Sequence, residues 1–337
     1  MKTVFLTGAS GFVGAYLLKL LIEKGYQVRA LRRKNSNLLL TQSFNSKVEW
    51  ITGDISNIDL LDEALQGVDE VYHSAALVSF HAQDAAQMLI TNGEGTANLV
   101  NAALNSSVKK FLHVSSIAAL GRKKHQNHYT ETAQWENSPL NTHYAISKFK
   151  AECEVWRGIE EGLNAVIINP SMILGAGFWQ QGTGQFFHLV ANRMYFYPRG
   201  ATAFVDVRDV AEAAYQLMQS PIQAQRFILG HHNVTYNHFF AQIAAALQVA
   251  APTRALPDWL GEVAWRADYL KSKFFGKRPT LTRELVQNTR NSFTYSSDAI
   301  IKSLDFQFRP LAQTIQETAN AYRLSQKNDI GYAMLDF

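Results

Sequence analysis

The stretch Thr7–Gly14, which reads Thr-Gly-Ala-Ser-Gly-Phe-Val-Gly, decides the fold of this 337-residue chain. It follows a short apolar run and precedes a helical pattern over 12–24. Gly8 allows a tight turn, Gly11 lets backbone N–H groups approach an anion, and Gly14 lets the helix pack closely on the strand. The helix N-terminus then offers unpaired N–H groups and the positive end of its dipole. The stretch therefore predicts a strand–turn–helix unit for a dinucleotide pyrophosphate, rather than an empty glycine turn. The predicted cofactor contacts are Gly8, Ser10, Gly11, Phe12, Val13 and Gly14.

Short apolar runs alternate with longer helical patterns through the first half of the chain. The apolar runs are 4–6, 28–31, 48–51, 71–73, 111–114 and 165–168, and the helical patterns are 12–24, 58–66, 85–105 and 144–161. Strands separated by helices of this length indicate βαβ units, whose parallel strands are buried on both faces. The predicted fold class is α/β, with a Rossmann-type doubly wound parallel sheet and a smaller, mostly helical C-terminal substrate-binding part.

The regular alternation weakens after Pro170. Residues 175–184 are glycine-rich, 206–218 look helical, 226–229 read as one more strand, and helical patterns dominate from 236 onward. We therefore predict a dinucleotide-binding core over 1–170, to which 204–230 return. The predicted substrate-binding part covers 171–203 and 231–325, and a C-terminal tail covers 326–337.

The composition excludes several classes of protein. Hydrophobic residues make up 47% of the chain and charged residues 18%, which is typical of a packed globular protein rather than a disordered one. The net charge is only +4, so we expect no nucleic-acid partner. A single cysteine, Cys153, excludes an intrachain disulfide and a Cys-rich metal site, and fits a cytoplasmic protein without a metal. We expect no secretory signal, and no apolar stretch reaches membrane-spanning length.

The end of the second predicted strand bears on the choice of cofactor. A dinucleotide fold that is selective for NAD usually has an acidic residue here, which accepts from the ribose 2′-OH. Arg32, Arg33 and Lys34 stand here instead, and planar guanidinium groups suit a 2′-phosphate. NADP(H) is therefore favoured, NAD(H) remains possible, and a solvated strand end is the alternative to either. Cofactor contacts are also predicted after the later strands, at Asp54, Ile55, Ala75, Ala76 and Pro170.

Tyr144 and Lys148 stand four residues apart, on one face of a predicted helix. The pKa of a free tyrosine is near 10, and a nearby ammonium lowers it by stabilising the phenolate. Tyr144 could then exchange a proton with a substrate oxygen while hydride moves to or from the adjacent carbon. Ser115 and Ser116 end the fifth strand, where a hydroxyl could hold that oxygen. An ordinary pair on the surface of a helix is the alternative.

These motifs, in this order, resemble those of the extended short-chain dehydrogenase/reductases, or NAD-dependent epimerase/dehydratase family. The matching segments are Thr7–Gly14, Gly53-Asp54, His73–Ala76, Asn92–Asn98, Ser115–Gly121, Tyr144–Lys148, Asn169-Pro170 and Phe204–Ala211. The resemblance implies that Tyr144 is the acid/base, that Lys148 tunes it, and that both also contact the cofactor. It selects Ser116, five residues before Gly121, as the catalytic serine, and it implies a homodimer joined through the helix that bears Tyr144.

One departure from the family pattern indicates the branch. The segment 169–175 lacks the Arg-Pro or Tyr-Phe-Asn-type ending that is usual in sugar-nucleotide epimerases. It looks more like the dihydroflavonol reductases and 3β-hydroxysteroid dehydrogenases, as do 28–33, 279–282 and 295–297. This resemblance implies an NADP(H)-dependent oxidoreductase that reduces a ketone, or oxidises the alcohol, on a hydrophobic or cyclic small molecule. The alternatives are a sugar-nucleotide epimerase or dehydratase with tightly held NAD, and a non-catalytic dinucleotide sensor.

Aromatic residues that follow the core support an apolar substrate, because ligand sites are mostly apolar. Some of them are expected to line a pocket and the others to pack the smaller part. The stretch Trp259–Phe275 is interpreted as a lid or as a surface helix that touches lipid. The aromatic residues are Phe178, Trp179, Phe186, Phe187, Tyr195, Phe196, Tyr197, Trp259, Trp265, Tyr269, Phe274 and Phe275.

Overall fold

Seven parallel strands form the central sheet of the computed structural model, which describes residues 2–275, 278–279, 282–333 and 335. The strand order is β11-β7-β5-β4-β1-β2-β3, so β4 and the later strands lie on the opposite side of β1 from β2 and β3. The strands are β1 Thr3–Thr7, β2 Gln27–Arg32, β3 Val48–Thr52, β4 Glu70–His73, β5 Lys110–Val114, β7 Ala165–Pro170 and β11 Gln225–Leu229. The predicted Rossmann-type α/β fold is confirmed.

Helices cover both faces of this sheet, which is why its strands read as continuous apolar runs. In β1, Val4 and Leu6 enter one core cluster while Phe5 enters the cluster on the other face. The first face packs on α1 Phe12–Glu23 and α7 Val207–Gln219. The second face packs on α2 Ile58–Ala64, α4 Gly95–Leu104 and α5 His143–Glu160.

A smaller part is built around a three-stranded sheet that the sequence patterns did not predict. Its order is β12-β10-β8, with β10 parallel to β8 and antiparallel to β12. Trp179 and Phe187, both candidates for a pocket, are buried in its core against Tyr322. The elements are β8 Met172–Leu174, β10 Ala201–Asp206, β12 His232–Thr235, α6 Gly184–Ala191, α8 Tyr236–Leu247 and α12 Leu311–Lys327.

Short elements complete the described chain. Two small parallel pairs join β6 to β14 and β9 to β13. The stretch interpreted as a lid or surface helix forms one helix, α9, and no helix among the described residues is long and apolar enough to span a bilayer. The bounds are β6 His128–Tyr129, β9 Phe196–Tyr197, β13 Arg254–Ala255, β14 Thr294–Tyr295, α3 Ala85–Met88, α9 Asp258–Phe275, α10 Arg283–Asn288 and α11 Asp298–Leu304, with 3-10 turns at Leu39–Thr41, Asn45–Lys47, Ala82–Asp84 and Ile117–Leu120.

The single helix predicted over 85–105 is wrong in detail. A six-residue π-helix, Leu89–Glu94, separates α3 from α4. The Asn92 side chain accepts from Leu77 N at 2.7 Å, and its Nδ2 donates to Leu77 O and to Ser147 Oγ, both at 2.9 Å. Single π-turns are rare and occur mainly where a side chain must be redirected. These bonds to a loop and to α5 draw Asn92 inward, so tertiary contacts override the local α-helical pattern.

Candidate active site

The residues selected from the sequence follow the carboxyl ends of neighbouring parallel strands. The glycine turn follows β1, Arg33 follows β2, Ala75 follows β4, and Ser116 follows β5. The strand order reverses between β1 and β4, and ligands of open α/β sheets bind in the crevice at such a reversal. The fold therefore gathers these residues at one edge of the sheet.

The glycine turn fits a pyrophosphate by its shape. Gly8 has a φ of +74°, and a Cβ there would lie 2.6 Å from the Ser74 carbonyl. A Cβ at Gly14 would lie 2.0 Å from Gly8 O, so the first turn of α1 packs directly on the loop. Helix α1 begins at Phe12 after Gly11, with no side-chain hydrogen bond capping its N-terminus. Uncapped helix N-termini bind anions, so the residues present fit the phosphate groups of a dinucleotide. Ser10, Phe12 and Val13 are half-buried beside this N-terminus.

The end of β2 carries two arginines in different settings. The Arg32 guanidinium lies 5.8 Å from the Trp50 ring centroid, and its Nε is buried without a hydrogen-bond partner. Arg33 is exposed, and its backbone N donates to Ser36 Oγ at 3.0 Å. A buried guanidinium nitrogen without a partner is unfavourable, which favours an anion at this position.

The remaining predicted cofactor residues differ in exposure. Asp54 Oδ1 accepts from Ser56 N at 3.0 Å and from Ser56 Oγ at 2.9 Å, which closes a turn after β3. Ile55 is buried against Gly95, so its side chain belongs to the core. Ala76 is exposed, whereas Pro170 is buried at the end of β7.

A chain of hydrogen bonds fixes His73 beneath this edge. Thr96 Oγ1 donates to Asn92 O, so it accepts from His73 Nε2 at 2.9 Å. Thr7 Oγ1 accepts from Ala75 N at 3.1 Å and donates to His73 Nδ1 at 2.7 Å. Burial, and to a smaller extent the Lys148 ammonium, lowers the pKa of His73 to about 3. His73 is therefore a neutral connector between β1 and α4.

Tyr144 lies in the first turn of α5, which begins directly after Thr142. The Thr142 Oγ1 caps the helix by accepting from Ala145 N at 3.0 Å. The Tyr144 phenol lies beside the Ser116 side chain. Burial raises the pKa of Tyr144, and the neighbouring Ser116 hydroxyl lowers it by a smaller amount. Ser115 instead donates to Glu152 Oε2 at 2.7 Å. Of the two serines, the structure thus pairs Ser116 with the phenol.

Lys148 lies one turn along α5 and is 1% exposed. Its Nζ donates to Val114 O at 2.9 Å, which holds the side chain against the end of β5. Burial lowers the pKa of Lys148 to about 8, and the Glu152 carboxylate opposes this shift. The ammonium therefore lies inside the protein, on the helix that also positions the phenol.

The polar group around Glu152, one turn further along α5, was not predicted from the sequence. Glu152 is 2% exposed and pairs with Arg226 at 3.0 Å. Asn169 Nδ2 donates to Glu152 Oε2 at 2.8 Å and to Ser116 O at 2.9 Å. The spacing Tyr144, Lys148, Glu152 repeats every four residues, so a third position on the same helical face was the available signal.

A cleft of about 870 Å³ lies next to Tyr144. The Phe80 ring contributes to its wall and contacts the Tyr144 ring, with centroids 6.2 Å apart. Trp265 and Tyr269 of α9 also line the cleft, and within the described residues they are the two of the candidate aromatic side chains that do so. Thr280 and Leu281, and the side chains of Phe274 and Phe275, lie outside the described residues. Polar lining comes from His81, Arg278, Arg283, Glu284 and Gln287.

Comparison with known proteins gives consistent matches. A family model described as "NAD dependent epimerase/dehydratase family" matches residues 4–230. A Synechocystis protein provisionally named a dihydroflavonol 4-reductase is 29% identical, and the alignment covers 95% of this chain and 94% of that protein. Cinnamoyl-CoA reductase 1 of Petunia hybrida is 26% identical, and the alignment covers 95% of this chain and 92% of that reductase. The crystal structure of gox2253 is 31% identical with a TM-score of 0.82, covering 98% of this chain and all of that one.

Proposed function

Because the chain belongs to the NAD-dependent epimerase/dehydratase family and is an oxidoreductase of that family, we propose that it reduces a ketone, or oxidises the corresponding alcohol, with NADP(H). The observation that carries this proposal is the Tyr144 phenol beside the Ser116 side chain, with the buried Lys148 one turn away. This acid/base group lies at the same sheet edge as the uncapped N-terminus of α1.

The residues of this chain would divide the chemistry as follows. When bound, the nicotinamide supplies or accepts the hydride. The Ser116 hydroxyl would hold the substrate oxygen beside the Tyr144 phenol, which donates a proton to it during reduction and takes one during oxidation. The Lys148 ammonium, one turn along α5, would favour the phenolate electrostatically and so make the proton easier to release. General acid/base catalysis of this kind contributes about 10²–10⁴-fold in rate.

The cleft supports a hydrophobic or cyclic substrate. Phe80, Trp265 and Tyr269 supply flat apolar surface in this cleft, and the Phe80 ring contacts the Tyr144 ring. The names of the reductases similar to this chain point to the same substrate class. We propose that 171–203 and 231–325 form the substrate-binding part around the core 1–170. Of the segment 204–230, α7 and β11 belong with this core, whereas 204–206 lie in β10 of the smaller sheet. The homodimer and the cytoplasmic location remain predictions.

A carbonyl panel tests the proposed function. The purified protein is mixed with NADPH and with aromatic or cyclic ketones, aldehydes and acyl thioesters, and absorbance at 340 nm is followed. We expect oxidation of NADPH that depends on an apolar carbonyl compound. Copurification with NAD, together with conversion of a nucleotide sugar and no net change in cofactor, would favour the sugar-nucleotide alternative. Tight cofactor binding without turnover of any compound would favour the sensor.

Arg33→Ala is expected to weaken NADPH binding about tenfold or more and to change NADH binding less than threefold. The physical reason is the loss of a charge-assisted contact with the 2′-phosphate, which NADH lacks. Fluorescence titration with each cofactor measures both affinities. Arg323→Ala, at an exposed position of α12, is the matched control and should change neither. Equal affinities of the unmodified protein for NADPH and NADH would remove the NADP preference.

A further inference from the structure

Glu152 is a buried carboxylate whose hydrogen bonds lead to the proposed catalytic groups. Its Oε2 accepts from Ser115 Oγ at 2.7 Å and from Asn169 Nδ2 at 2.8 Å. Its Oε1 accepts from Arg226 Nη1 at 3.0 Å and from Trp156 Nε1 at 3.4 Å. Four donors thus point at two oxygens, so the group acts here as an acceptor only. A buried ion pair contributes little to the free energy of unfolding, because desolvation of the two charges offsets their attraction. We therefore look for the role of this pair in its effect on neighbouring residues.

Two of these bonds fix the strand end that carries Ser116. Asn169 Nδ2 bridges Glu152 Oε2 and Ser116 O, the latter at 2.9 Å. Ser115, the residue before Ser116, is held by the same carboxylate oxygen. Glu152 therefore sets the backbone position from which the Ser116 side chain reaches the phenol.

The same carboxylate lies close to Lys148, because the two side chains project from α5 four residues apart and contact consecutive residues at the end of β5, Ser115 and Val114 respectively. The Lys148 ammonium also acts on His73 of β4 and His113 of β5. Burial lowers the pKa of both histidines, so neither carries a charge near neutral pH. Arg226 of β11 lies on the far side of Glu152. Glu152 is thus the charged group that favours the ammonium form of Lys148 against the effect of burial.

We propose that Glu152 is a positioning residue that keeps Lys148 in its ammonium form and holds Ser116 against Tyr144. The proposal deepens the proposed function and rests on it for the roles of Lys148 and Ser116. Glu152 need not touch substrate or cofactor to act in this way, because its effect passes through Lys148 and through Asn169.

A titration of Lys148 tests the proposal without substrate or cofactor. The protein is labelled with ¹³C at the lysine Cε, and the Lys148 resonance is identified by its absence from Lys148→Arg. We expect a midpoint near the value of about 8 in the unmodified protein. In Glu152→Gln the midpoint should fall by about one pH unit, because removing a nearby negative charge disfavours the ammonium. In Glu152→Asp, which keeps the charge, it should stay closer to the original value.

Two further variants make the outcome decisive. Glu154→Gln alters a partly exposed carboxylate on the same helix and should leave the Lys148 midpoint unchanged. If Glu152→Gln does not fold, the double variant Glu152→Gln/Arg226→Gln removes both buried charges, and the midpoint should still fall. An unchanged midpoint in the folded Gln variant, or a Lys148 that titrates with the surface lysines, overturns the proposal. A lowered midpoint in a protein that turns over no carbonyl compound would instead count against the proposed function alone.

Discussion

Tyr144→Phe is expected to lower turnover about 10²–10⁴-fold while the fold and cofactor binding persist. The substitution removes one oxygen, which lies beside the Ser116 side chain, and leaves the ring that packs near Phe80. Without the phenol, no group on α5 replaces the proton donor, because the Lys148 Nζ is directed at Val114 O. Turnover is measured with NADPH and the best carbonyl compound of the panel.

The control for this variant is Tyr195→Phe. Tyr195 is 52% exposed and lies beside Phe196 of β9, outside the cleft lining. Tyr195→Phe also removes a phenol oxygen from a tyrosine, so the turnover of this variant should stay within threefold of the unmodified protein. Circular dichroism and NADPH titration verify that both variants are folded and bind cofactor. Turnover of Tyr144→Phe within threefold would show that the acid/base assignment is wrong.

The parts of this protein that could be predicted from sequence are those set by local pattern. The glycine turn can be predicted because strand, turn and helix follow one another within 21 residues, from Thr3 to Glu23. The Tyr144–Lys148 pair can be predicted because both residues share one helical face. The π-helix could not be predicted in this way, because it depends on Asn92 bonding to Leu77 and Ser147. These partners are 15 and 55 residues away in sequence.

The Glu152 network was missed for the same physical reason. Arg226 lies 74 residues along the chain from Glu152, and they meet only because β11 pairs with β7.

The aromatic residues show that residue type alone does not predict where a side chain lies. Trp179 and Trp265 read alike in sequence, yet one is buried in a core and the other lines the cleft. Burial is decided by the packing of distant elements, so residue type alone did not separate pocket from core.

Gly8→Ala should destabilise the protein much more than Gly25→Ala, although both glycines have a positive φ. Gly25 has a φ of +80° and no atom within 4 Å of an added Cβ, so its substitution costs the backbone term alone, roughly 1–2 kcal/mol. At Gly8 the added Cβ would also lie 2.6 Å from Ser74 C and O. These atoms cannot easily retreat, because Ser74 N donates to Thr7 O at 3.2 Å and Ala75 N donates to Thr7 Oγ1 at 3.1 Å.

We therefore expect Gly8→Ala to cost at least about 2 kcal/mol more in the free energy of unfolding than Gly25→Ala, since overpacking against backbone adds to the strain. Urea unfolding measures the difference, and NADPH titration measures its consequence at the site. Because the collision moves the turn that leads into α1, cofactor affinity should fall more than tenfold in Gly8→Ala and remain unchanged in Gly25→Ala. Equal losses of stability in the two variants would mean that the Ser74 backbone does not confine Gly8. If the Gly8→Ala variant is destabilised but retains its NADPH affinity, the glycine turn does not form the phosphate site of the cofactor.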